Sequence, residues 1–175
     1  MVAGGKGSDL GGMRQALFSL LDPLVAGRPS GAVLDAGVSA VCRPTDLEHR
    51  YDWKLRSLAP GSDLTSLPFQ SASFDVVLAL DDSSYPAGTE KALTELARVL
   101  TRGGMLLLWA ISGSDLFWRR SLIKMAEHRS IRVLRTSRFH PASSWIPVMA
   151  QALWLRAGLN LPVGRSIILI GEKTG

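Results

Sequence analysis

Apolar and polar positions along this 175-residue chain recur in two periods. Met13, Leu17, Leu20, Leu21 and Leu24 follow helical spacing, and Pro23 and Gly27 are expected to end the amphipathic helix they predict. "AVLDA", Ala32 to Ala36, is a short apolar run after a glycine and predicts a buried strand with Asp35 near its end. The next stretch, Val38 to Gly61, is mixed and charged; it predicts at most a short helix around Asp46 to Leu58 and no strand.

Regular patterning resumes at "SFDVVLAL", Ser73 to Leu80, a second buried strand. The helix that follows carries Leu93, Leu96, Ala97 and Leu100 on one face, with Thr89 as its expected cap and Gly103 as its expected end. "GMLLLWA", Gly104 to Ala110, is a third apolar strand, so the order is that of a parallel strand–helix–strand crossover. Trp118, Leu122, Met125 and Ala126 stripe another helix, and Ile146, Met149, Ala150, Leu153 and Ala157 a later one. Ser166 to Lys173 reads as a final strand, paired antiparallel with Leu159 to Val163. Helices alternating with buried strands imply an α/β fold: a Rossmann-like, mostly parallel sheet flanked by helices, with an antiparallel C-terminal edge strand.

Composition narrows this to one domain over residues 8–175, after a glycine-rich tail at residues 1–7. No apolar run approaches the length of a membrane-spanning helix, and the N-terminus lacks the apolar core of an export signal. With Cys42 as its single cysteine, the chain is expected in a reducing, intracellular compartment, the cytoplasm first and an organelle as the alternative. His49, His128 and His140 have no metal-ligand spacing, so no metal site is expected.

The net charge of +5 is local, because Arg119, Arg120, Lys124, Arg129, Arg132, Arg135 and Arg138 lie within one short segment. That segment is a candidate contact for an anionic partner, whether nucleic acid, acidic protein or acidic surface; the plain alternative is a solvated face. Trp118, Phe139 and Trp145 interleave aromatics with these charges.

The block "SDLTSLPFQSASFDVVLALDDSSYPAGTEKALTELARVLTRGGMLLLWA", Ser62 to Ala110, resembles class I S-adenosylmethionine-dependent methyltransferases of the small-molecule type. An acidic residue, "LPF", "SFD" with a strand, a helix ending "ARVL", a "GG" turn and a strand follow one another in the family's order. The resemblance implies that Asp63, with Leu64, lies beside the adenine, and that Leu80 and Asp81 face the cofactor cleft at a strand end. Asp35 and Gly37 match the start of the family's glycine-rich motif, but Val38, Ser39, Ala40 and Val41 stand where further glycines are expected. A Cβ there hinders both the turn and the close approach of the ligand.

The family also wants a strand-end carboxylate for the ribose, roughly 20 residues beyond the loop. Between Gly37 and Asp63 there is too little chain for two helices and two strands, so some element is expected to be shortened or deleted. Asp46, Glu48 and Asp52 are the carboxylates available. Two functions follow from the resemblance. In one, the chain is a non-catalytic, methyltransferase-like subunit or scaffold with a degenerate site and no cofactor. In the other, it is an active enzyme that uses S-adenosyl-L-methionine to methylate a small molecule, protein or nucleic acid.

Overall fold

The computed structural model describes residues 15, 17–23, 25, 31–37, 44–59, 62–81, 88–111, 116–139 and 166–175. Residues 15, 17–23 and 25 are helical and are called α1; strand β1 (Ala32–Ala36), helix α2 (Pro44–Tyr51) and strand β2 (Lys54–Ser57) follow. Strand β3 (Phe74–Asp81), helix α3 (Thr89–Val99) and strand β4 (Leu100–Ile111) make the second unit. Helix α4 (Leu116–His128) and strands β5 (Ile131–Phe139) and β6 (Ser166–Lys173) complete it.

The six strands join one sheet in the order β2-β1-β3-β4-β6-β5. The pairs β1/β2, β1/β3 and β3/β4 are parallel, whereas β6 runs antiparallel to both β4 and β5. The expected α/β sheet is therefore present. Its antiparallel part is a pair of strands, with β5 at the edge and β6 inserted beside β4.

Alternation along the strands sends side chains to two cores. Val33, Val76, Leu78, Met105, Leu107 and Trp109 pack with Leu17, Leu20 and Leu21 of α1 and Leu47 of α2. On the other face Leu34, Val77, Ala79, Leu106 and Leu108 pack with Leu93, Leu96 and Ala97 of α3 and with Leu122 and Ala126 of α4. Burial on both faces is why these strands read as continuous apolar runs.

Several expectations need correction. Val25, beyond Pro23, is still helical, and Gly27, the other expected terminator, lies outside the described residues. Gly88, not Thr89, is the residue before α3; Thr89 is the first helical residue, and its buried hydroxyl has no hydrogen-bond partner among the described residues. The helix ends at Val99 with Leu100 extended, and Gly103 instead turns the chain at φ +75° within an irregular start of β4. Two strands were not expected. β2 exposes most of its residues and so has no apolar alternation, and β5 interrupts its apolar positions with arginines. β6 has the expected bounds, but its described partners are β4 and β5; Leu159 to Val163 and the helix expected around Ile146 to Ala157 lie outside the described residues.

Candidate cofactor cleft

Strand order reverses between β1 and β3: the chain moves outward to β2 on one side and to β4 on the other. In an open parallel sheet such a switch point opens a crevice at the carboxyl ends of the strands. Asp35 and Gly37 stand there. Gly37 takes φ +112°, which a side chain would strain, and bridges to Ala79 of β3.

The Asp35 side chain is fully buried and its carboxylate is engaged on both oxygens. Oδ1 accepts the Gly37 N–H at 3.1 Å, and Oδ2 accepts the Ser57 hydroxyl at 3.1 Å. Ser57 lies directly opposite Asp35 in the β1/β2 register, at the carboxyl end of β2. The Leu58 N–H then donates to the Asp35 carbonyl at 2.9 Å. The end of β2, where a ribose carboxylate is expected, thus carries a serine whose hydroxyl points to Asp35.

None of the carboxylates considered earlier takes that place. Asp46 and Glu48 belong to α2, and Asp52 precedes β2, at the end of the strand away from the crevice. Ser57 was missed because carboxylates were sought, although it sits at the spacing that the ribose position requires.

From Leu58 to Ser73 the described chain forms neither helix nor strand. This strap is fastened to α3 by the helix's own Glu95–Arg98 ion pair and by backbone bonds from the Ala72 and Ser73 N–H groups to the Arg98 and Val99 carbonyls at 2.9 and 2.8 Å. Glu95 accepts the Leu67 N–H at 3.0 Å and both Arg98 Nε and Nη2 at 2.8 Å. Arg98 in turn donates to the carbonyls of Phe69 at 2.8 Å and Leu67 at 3.1 Å. The pairing holds the Glu95 carboxyl below the ordinary glutamate range, chiefly through Arg98. Among the described residues no helix and no strand lies between β2 and β3, in keeping with the short spacing between Gly37 and Asp63.

Asp63 opens a turn at the start of the strap and is exposed. Its Oδ1 accepts the Thr65 N–H at 2.8 Å and its Oδ2 the Thr65 hydroxyl at 2.9 Å. Those bonds, the backbone one first, hold its carboxyl below the usual aspartate value, with a smaller contribution from Lys91. Leu64 is half-buried against the α3 face of the sheet. Thr65 adjoins the start of α3, since a Cβ added at Gly88 would meet its methyl at 3.6 Å. Leu80 and Asp81 end β3 opposite Trp109 and Ala110; their side chains lie outside the described residues.

The basic segment divides. Arg129 pairs with Glu90 at 2.8 Å and Arg132 with Glu172 at 2.6 Å. Arg119 donates to the Thr136 hydroxyl at 3.0 and 2.7 Å. Arg120 and Lys124 are exposed on α4, while the Arg138 side chain lies outside the described residues. Among the described residues no group of histidine, cysteine and carboxylate side chains is disposed to hold a metal.

Comparison with known proteins places this geometry. A methyltransferase-domain family profile matches residues 49–108, which span β2, the strap, β3, α3 and most of β4. The chain has a class I methyltransferase fold. It is similar to the methyltransferase solved with the Trm112 methyltransferase activator of Haloferax volcanii, at 16% identity and TM-score 0.59, covering 95% of this chain and 93% of that one. It is also similar to geranyl diphosphate C-methyltransferase from Streptomyces coelicolor A3(2), solved with S-adenosyl-L-homocysteine, at 13% identity and TM-score 0.61, covering 93% and 80%. The [4+2]-cyclase SpnF shares the fold as well, at 16% identity and TM-score 0.55, covering 89% and 80%. No curated protein matches by sequence. No helix among the described residues is long and apolar enough to cross a membrane.

Proposed function

We propose that this chain is a methyltransferase-like subunit whose S-adenosylmethionine site is degenerate, and that it acts as a scaffold in a larger assembly instead of transferring methyl groups. The observation that carries this reading is the closed Asp35 cluster. Gly37 and Ser57 donate to the Asp35 carboxylate, and the end of β2 offers a single neutral hydroxyl oxygen where two ribose hydroxyls need the two oxygens of a carboxylate. The residues present do not fit the cofactor at that corner.

What does fit is generic to the fold: the turn at Gly37, the exposed acceptor of Asp63, and the strand ends at Leu80 and Asp81. A common fold hosts unrelated chemistry, as a cyclase among the similar structures illustrates. Assembly is supported by the likeness to a methyltransferase that was solved with an activator protein. Trm112-like association is one form it would take.

Isothermal titration of the purified chain with S-adenosylmethionine tests the proposal. The expected result is no saturable heat at physiological cofactor concentration and no transfer of labelled methyl groups. A stoichiometric isotherm with labelled product would establish the alternative, an active methyltransferase in which Asp35, Gly37, Asp63, Leu64, Leu80 and Asp81 line the cofactor cleft.

A further inference from the structure

We propose that the outer edge of β5 is a docking surface for an extended, acidic segment of a partner protein, which joins the sheet as an added strand. The inference rests on the subunit reading above and says where and how the partner binds. Three observations meet on this one strand.

The first is its place in the sheet. β5 is last in the strand order, and among the described residues its backbone is paired only with β6. A nine-residue edge offers a row of N–H and C=O groups to an incoming strand. The second is Leu134, which is 46% exposed and is the exposed large hydrophobic side chain among the described residues. It sits where the β5/β6 register shifts between Val133 and Arg135, a bulge that changes which side chains the strand presents outward.

The third is charge. Arg132, Arg135 and Arg138 recur along the strand, and Arg132 is answered by Glu172. Arg135 has no such answer among the described residues: its Nε and Nη2 are buried without a hydrogen-bond partner there. Burial alone lowers its pKa, so the cation has lost hydration without gaining a counter-charge. A carboxylate delivered beside Arg135 would supply one.

The same charges argue against other occupants. A second copy of this chain laid edge to edge would bring arginines against arginines. A nucleic acid calls for cations free to reach phosphates and for aromatic faces, whereas here the central guanidinium is half-buried and the exposed side chain is aliphatic.

The test replaces Leu134 with a photo-crosslinking residue in the full chain, expressed in its native cell, with the same residue at Arg56 on the opposite edge as control. Expected is a protein adduct specific to position 134, through a segment rich in aspartate or glutamate. In the purified complex, amide exchange should slow at alternate residues of β5. Arg135→Glu should cut capture by about tenfold or more. If that variant fails to fold, Arg135→Gln read by the same capture takes its place.

The inference is overturned by an adduct to nucleic acid or to a second copy, by no adduct, by capture indifferent to Arg135, or by β5 amides that exchange as fast as in the free chain. Titration with S-adenosylmethionine on the same preparation separates the two readings. Saturable binding with methyl transfer removes the non-catalytic reading and leaves the adduct standing; absent adduct with absent binding removes only this surface.

Discussion

At the scale of single residues, two carboxylates set what the chain can do. Asp35 is a buried acceptor that ties the turn after β1 to the end of β2. Asp35→Asn brings an amide N–H₂ group into a site that needs two acceptors, and should cost about 1–3 kcal/mol in urea denaturation. Ser57→Ala on top of it should add less than it costs alone, because the two share one bond. Additive losses would show that the Asp35 and Ser57 side chains do not act together.

Glu95 is the second. Its folded pKa lies below its unfolded one, so it contributes stability above the ordinary glutamate value and loses it as pH falls through the lower folded value. Denaturation midpoints between about pH 3 and 5 should therefore fall more steeply for the wild type than for Arg98→Ala, which has lost the partner that depresses Glu95. Parallel slopes would refute the assignment. The same variant should lose about 2 kcal/mol at neutral pH, since two strap carbonyls forfeit a charged donor.

Among elements, the strap is held over Leu67 to Phe69 by the Glu95 and Arg98 side chains, and at its end by backbone bonds from Ala72 and Ser73 to the Arg98 and Val99 carbonyls. Arg98→Ala should therefore speed amide exchange over residues 62–70 while leaving β3 and β4 protected. Gly171→Ala should act elsewhere, because its Cβ would run into the Ile131 side chain and loosen β5 from β6 at a cost of about 1–3 kcal/mol. How far the elements were legible follows from their burial. β1, β3, β4 and β6 carry Val33, Val77, Leu107 or Leu169 and are buried on both faces, so their runs announce strands. β2 is an edge of four residues, Lys54 to Ser57, and only its pairing with β1 makes it a strand.

The site was legible to the same degree. Asp35 and Gly37 are conspicuous at the end of an apolar run. Ser57 acquires meaning only from the register that sets it opposite Asp35. The Glu95 and Arg98 clamp looked like ordinary helix surface, because its partners are backbone groups about thirty residues away.

For the whole molecule, one sheet serves two cores, and α1 closes the first of them. Leu17, Leu20 and Leu21 are almost wholly buried there, each worth about 2–5 kcal/mol on truncation to alanine. A chain starting at residue 26 should bind the dye ANS and lose its cooperative melt, as expected when a sheet face is bared. A cooperative melt without dye binding would show that α1 is dispensable.

The strap also bears on the order in which the molecule assembles. The pairing of β3 with β4 and the contact of Leu67 with Arg98 close loops of similar length, 29 residues from Val76 to Met105 and 31 from Leu67 to Arg98, but the second is made on a helix that must already be docked against the first. The clamp is therefore expected to be a late contact, one that closes after the β3–α3–β4 unit has formed. Breaking it should leave the refolding arm of a chevron almost unmoved and steepen the escape from the native state. By this account Arg98 governs how long the molecule stays folded, and hardly touches how fast it folds.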